Sequence, residues 1–185
     1  MGCAVLIAAT SCSKKGVPLA SGEVEVIIPC SGPDYSTDKK HIRASGMGMS
    51  GDANMAKKKA MAEATSALAS TLNTLVERVA TNYASSYQMA EAEESKQKYE
   101  DMAKLVVKEK LTGIRTICEK ITRANDGKYR AYIALELEGE ELLRGIHNSM
   151  SKGMTGENKV RIDYEYEKYK QEFDKEMERL EKQGY

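Results

Sequence analysis

The stretch Thr116-Ile117-Cys118-Glu119-Lys120-Ile121-Thr122-Arg123, followed by Ala124-Asn125-Asp126-Gly127-Lys128 and Tyr129-Arg130-Ala131-Tyr132-Ile133-Ala134-Leu135-Glu136-Leu137, decides the fold. Before the turn, Thr116, Cys118, Lys120 and Thr122 alternate with Ile117, Glu119, Ile121 and Arg123. After it, Tyr129, Ala131, Ile133, Leu135 and Leu137 alternate with Arg130, Tyr132, Ala134 and Glu136. Side chains of a strand point to opposite faces in turn, so period two on each side of an Asp-Gly turn predicts an antiparallel hairpin. A helix over residues 103 to 123, resting on Ile114, Ile117 and Ile121, is the competing pattern, and the hairpin is preferred to it.

Upstream of the hairpin lies a helical signal. Ala56, Ala60, Ala64, Leu68, Leu72 and Val76 recur every four residues, and Val79 and Tyr83 continue the stripe. That spacing predicts a long amphipathic helix starting near Asp52, with Ser50 or Asp52 as its N-cap. The stripe is small at its start and large later, which suits close approach to a sheet followed by a thicker core. Lys57, Lys58 and Lys59 read as a solvated rim. Residues 84 to 100 are polar and either extend this helix or connect it to a turn or two of helix over Met102 to Lys110.

Two short strands are expected before the long helix. Glu23 to Ile28 alternates and ends at Pro29, and residues 41 to 45 form the second. Gly46-Met47-Gly48-Met49-Ser50-Gly51 then matches G-x-G-x-x-G between a strand and a helix, as a dinucleotide-binding turn would. The rest of that fingerprint is missing, since no acidic residue lies between Ser66 and Asn73 and no strand–helix–strand repeat follows. The alternative is that the glycines let the strand bend and let the helix sit close to the sheet.

Downstream of the hairpin, Glu140 to Ser151 reads as a helix packing Leu142, Leu143 and Ile146, with Gly153 near its end. Tyr166, Tyr169, Phe173, Met177 and Leu180 then form one stripe on a C-terminal helix dense in Glu and Lys. This stripe either packs on its own domain, which is the favoured reading, or offers an aromatic face to a partner. The fold class is therefore α+β: a small antiparallel sheet with a long helix packed across it, plus a C-terminal helix.

The N-terminus carries a different signal. Cys3 to Ala9 is an apolar run of seven residues, too short to span a bilayer, which needs about 20. Ala9-Thr10-Ser11-Cys12 follows it as a bacterial lipobox would, with Cys12 as the lipidation site. Only Met1 and Gly2 precede the run, with no Lys or Arg, so a signal would need its true start further upstream; the other reading of the run is a buried N-terminal strand or an untethered apolar tail. The organisation read from the chain is a signal peptide over 1–11, a tether over 12–22, an α+β domain over 23–152 and a C-terminal helical extension over 153–185.

Four cysteines and two histidines bound the chemistry. No two of Cys3, Cys12, Cys30 and Cys118 have C-x-x-C spacing, and His41 and His147 are far apart, so no metal site is indicated. Once Cys3 leaves with the signal and Cys12 is acylated, Cys30 and Cys118 remain. They either pair in an oxidising compartment or are two small buried hydrophobes. The 28 Lys+Arg balance 28 Asp+Glu, which removes the chain-wide basic signal of a nucleic-acid binder or a polybasic membrane-surface protein.

Three stretches together resemble the Lpp-twenty family of envelope lipoproteins, which is related to the N-terminal domain of the flagellar assembly protein FlgT. They are the lipobox ending in Cys12, the segment Arg43-Ala44-Ser45-Gly46-Met47-Gly48 with its Ala56, Ala60 and Ala64 helix, and the hairpin around Asp126-Gly127 running into Tyr129 to Leu135. The resemblance implies a small α+β domain tethered to a bacterial membrane. It carries over Cys12 as the lipid site and supplies no catalytic residue.

The expected function is thus that of a non-enzymatic lipoprotein with no cofactor. It would be held by N-terminal acyl chains such as palmitate, most simply at the periplasmic side of the outer membrane. It would act by contact with an envelope protein or a second copy of itself. The alternatives are a nucleotide or small-ligand domain using Gly46 to Gly51, or a cytosolic helical interaction protein.

Overall fold

The computed structural model describes residues 26–85, 92–112, 114–152 and 157–184. Cys3, Cys12 and the tether lie outside the described residues. Strand β1 is His41–Ser50, helix α1 is Ala53–Ser85, helix α2 is Ala92–Lys110, and the hairpin strands are β2, Arg115–Arg123, and β3, Tyr129–Glu138. Helices α3, Gly139–Ser151, and α4, Glu157–Gln183, follow. All three strands are antiparallel in the order β1-β3-β2, so the hairpin's second strand is central. Gly127 takes φ 81°, the left-handed conformation that the turn demands and that glycine adopts without a Cβ penalty.

The sheet has one covered face. Ile42 and Ala44 of β1 and Ala131, Ile133, Leu135 and Leu137 of β3 point toward the helices and join a single apolar core. Helix α1 is 33 residues long, or about 50 Å at 1.5 Å per residue, and it crosses this face. Every residue of its expected stripe, Ala56, Ala60, Ala64, Leu68, Leu72, Val76, Val79 and Tyr83, is buried. Asp52 caps it, its Oδ1 accepting from the Met55 N–H at 2.8 Å, while Ser50 Oγ accepts from the Asp52 N–H at 3.4 Å.

The glycines of β1 explain how helix and sheet come so close. Gly46 and Gly48 lie inside the strand, directly under α1. A Cβ on Gly46 would stand 2.7 Å from the Ala60 carbonyl oxygen and 2.9 Å from Ala64 Cα, and one on Gly48 would meet the backbone of Ala56 and Ala60. The expected strand over 41–45 therefore runs on to Ser50, the segment that formally matches a nucleotide-binding turn is strand almost throughout, and the reading in which its glycines let the helix sit close to the sheet holds. Gly46 and Gly48 face packed helix backbone, leaving no room for a phosphate beside them, while Gly51 beyond the strand is open.

Three further expectations change. Val26 to Ile28 belong to no strand, and the rest of the expected 23–28 strand lies outside the described residues. The second helical segment is longer than a turn or two, since α2 has 19 residues. The region 153–185, expected as an extension, contains a helix that completes the core: Tyr169, Phe173, Met177 and Leu180 are all buried in it, with Tyr166 at its margin. The rings of Tyr83 and Tyr169 meet edge to face at 6.0 Å. Glu176 of α4, itself buried, accepts from Asn82 Nδ2 at 3.1 Å and lies 3.9 Å from Arg78 Nη1, which ties α4 to the end of α1. Packing on its own domain is thus the role of the aromatic stripe.

Candidate functional site

The other face of the sheet is the candidate site, because no helix covers it. Alternation places Arg43, Ser45, Met47 and Met49 of β1 there, with Arg130, Tyr132, Ala134 and Glu136 of β3 opposite them. Cys118 stands opposite Ala134 and Lys120 opposite Tyr132, so these β2 residues share the face. A register shift between Thr116 and Cys118 marks a bulge in β2, the local device that re-aims a side chain.

A strap leading into β1 crosses one end of this face. Cys30 and Cys118 are joined by a disulfide, with Cα atoms 5.5 Å apart, within the usual range for a bridge. Both cysteines are buried, and with Ala134 they form a small second core that Tyr35, Ile117 and Tyr132 flank. Both sequence readings are thus met together: the two residues pair and are buried. Cys30 holds φ 55°, unusual for a residue with a Cβ, in a turn that the bridge fastens to the sheet. Pro33–Tyr35 forms a short 3-10 helix beyond it.

The strap's second attachment is polar. Thr37 Oγ1 accepts from the Arg43 N–H at 3.0 Å and donates to the Arg43 carbonyl at 3.3 Å, closing the open edge of β1 at that residue. Arg43 Nη1 donates to the Ser36 carbonyl at 2.9 Å and to Asp38 Oδ2 at 2.8 Å. Its Nε donates to Glu136 Oε2 at 2.7 Å, and Arg115 Nη2 holds the other oxygen, Oε1. Burial opposes ionisation of Glu136, but the hydrogen bonds from Arg43 and Arg115 outweigh it and hold its carboxyl below the usual range. Burial likewise raises Asp38, and it is overcome by the Lys40 and His41 N–H groups, each 2.8 Å from Oδ1, with the His41 ring and the Arg43 charge adding to them. Together they bring Asp38 down to about 2.

This cluster is an electrostatic clamp. Its carboxylates are saturated by donors and held ionised, whereas a general acid or base needs a proton affinity near the working pH. A cleft of about 670 Å³ opens onto the clamp itself, lined by Ser36, Thr37, Asp38 and Arg43 with Glu181 of α4. Another, of about 390 Å³, lies between the start of β1, the β3–α3 junction and α4. Lys39, Lys40 and Lys170 face Glu138, Glu140 and Asp174 across it, a balanced rim with Leu143 and Phe173 beneath. Among the described residues no group of three or more His, Cys, Asp or Glu could hold a metal ion. Nor is any described helix long and apolar enough to cross a membrane.

The chain matches no family model, no curated protein and no solved structure.

Sequence reasoning found Cys30 and Cys118 and missed the clamp of Thr37, Asp38, Arg43, Arg115 and Glu136. A signal was present: Glu136 is the lone acid in the alternating run from Tyr129 to Leu137. Its partners, though, are set by the β1–β3 register, which pairs Arg43 with Glu136 over 93 residues of sequence. Local periodicity cannot supply that number.

Proposed function

We propose that the chain is a lipid-anchored bacterial envelope protein. It is non-enzymatic, resides at the periplasmic side of the outer membrane, and acts through contact made by its folded domain. The observation that carries this reading is the Cys30–Cys118 bridge, because structural disulfides persist in oxidising compartments and are rare in the cytosol. The lipobox at Ala9-Thr10-Ser11-Cys12 points to the same compartment from the other end of the tether. The resemblance to the Lpp-twenty family supports it as well. Diacylation or triacylation at Cys12 would give stable attachment where one acyl chain would not, at about 0.8 kcal/mol per buried methylene.

The test is incorporation of radiolabelled palmitate in a bacterial host. Label is expected in the wild type and absent from Cys12→Ala. Equal labelling of both would remove the anchor, and a soluble cytosolic pool retaining Met1 would remove the compartment.

A further inference from the structure

We propose that the uncovered sheet face, at the end occupied by Met47, Met49, Lys120, Arg130 and Tyr132, seats directly on an anionic lipid surface. The inference deepens the anchored reading and rests on it for its geometry, but it concerns a different part of the molecule. Three observations carry it.

The first is the mixture of side chains. Met47 is 51% exposed and Met49 42%, both on strand positions that alternate with the buried helix-facing ones. Tyr132, half-buried, lies opposite Met47 in the ladder and presents an amphipathic ring of the kind that settles at headgroup level. Exposed apolar side chains collected on one face of a sheet mark a contact surface, unlike apolar residues scattered singly.

The second is charge. Lys120 and Arg130, both exposed, flank the methionines on the same face, and no carboxylate points outward from the strands at that end. The outward acids, Glu136 and Glu138, lie at the opposite end, where Glu136 is neutralised by Arg43 and Arg115. The whole chain is neutral, so this is a local cationic and apolar patch. Its complement is a surface both negative and able to accept methionine side chains, which describes a bilayer containing phosphatidylglycerol.

The third is where the chain enters. Cys30 is pinned to Cys118 on this same face, and the exposed Val26, Ile27 and Ile28 run directly into it. Cys12 stands 18 positions before Cys30 in the sequence. The disulfide therefore fixes the chain's entry on the face that carries the patch, the side from which an anchor at Cys12 would lead. A protein partner would also bury methionines, but the entry of the tether on the same face favours the membrane.

The experiment uses the full chain carrying Cys12→Ala, so that acylation contributes nothing. Co-sedimentation is measured with vesicles of phosphatidylcholine plus phosphatidylglycerol and with vesicles of phosphatidylcholine alone. Binding is expected to the anionic vesicles only and to fall steeply with added salt. The double variant Lys120→Glu, Arg130→Glu should bind about tenfold more weakly or worse. Met47→Ser with Met49→Ser should also bind more weakly, with an unchanged circular dichroism spectrum because neither side chain is in the core. Any affinity of the apolar run Cys3 to Ala9 is common to all these proteins and drops out of the comparison. Equal binding by parent and both double variants, or no preference for anionic vesicles, would overturn the proposal and leave the face to a protein partner. Palmitate labelling at Cys12 reads the anchor independently, so either claim can fail alone.

Discussion

Arg43 and Glu136 stand directly opposite each other in the β1–β3 ladder, with Arg43 Nε 2.7 Å from Glu136 Oε2. The pair is well shielded: Glu136 is buried, and the Arg43 side chain keeps little exposure. Arg115 completes the contact from the solvent side. Removing one partner of a buried pair leaves an uncompensated charge, whereas removing an exposed partner loses little. Arg43→Ala should therefore cost about 3 kcal/mol, and Arg115→Ala about 1 kcal/mol or less. Urea denaturation of the two variants checks the ranking. Equal losses would mean that Arg43 does not organise the strap.

The same cluster sets the acid limit of the fold. Asp38 and Glu136 both have folded-state proton affinities below those of the unfolded chain, Asp38 at about 2 and Glu136 below its ordinary value of 4.5. A depressed carboxylate stabilises the folded state above its unfolded pKa, and that contribution is lost as pH falls through the folded one. Stability from these groups should be flat from neutrality to about pH 5 and decline from about pH 4 toward 2. Thermal midpoints across that range test it. Asp38→Asn and Glu136→Gln should each start lower at neutral pH and lose less on acidification than the wild type.

Gly46 and Gly48 make the helix–sheet contact possible, so they should resist any added atom. A Cβ at Gly48 would stand 2.7 Å from Lys59 Cβ and still closer to helix backbone, which cannot move without shifting α1. Overpacking of this kind costs about 1–3 kcal/mol or more. Gly48→Ala and Gly46→Ala should each lower the denaturation midpoint. Gly51→Ala, whose Cβ would meet nothing within 4 Å, should not. The contrast separates close packing from general glycine flexibility.

The Cys30–Cys118 bridge spans 88 residues of sequence, and closing a loop of that size in the unfolded chain is worth about 4–5 kcal/mol in the chain-entropy model. Cys30→Ser and Cys118→Ser should be equally destabilised, and a reducing agent should bring the wild type down to meet them. If the single variants differ while reductant leaves both unchanged, the unpaired cysteine has a separate packing role.

How much of this was legible beforehand depends on the range of each interaction. The α1 stripe, the Asp126-Gly127 hairpin and the α3 apolar face repeat over a few residues, and all three stood in the sequence. Gly46 and Gly48 were ambiguous because one spacing serves a phosphate cradle and a helix contact alike. Only the register of β1 under Ala60 and Ala64 decides between them. The 23–28 alternation resembled a strand, yet Val26 to Ile28 pair with no neighbouring strand. Local propensity needs a neighbouring strand before it becomes a sheet.

The position of α4 in the core leads to the last prediction. An appended helix could be removed with little effect on the rest, whereas a core helix could not. Phe173 is buried and lies 3.2 Å from where a Cβ on Gly139 would stand, so it seals the β3–α3 junction. Tyr169 is fully buried against the end of α1, and burial pushes its hydroxyl well above the usual tyrosine range. Phe173→Ala should cost about 3–5 kcal/mol, the range for emptying a large aromatic site. A chain ending at residue 152 should lose its cooperative thermal transition, because Leu142, Leu143 and Ile146 of α3 and the Tyr83 end of α1 would lie bare. Differential scanning calorimetry decides the matter. A sharp transition with nearly unchanged midpoint in the truncated chain would show that α4 is an accessory after all, and that sheet, α1, α2 and α3 suffice for folding.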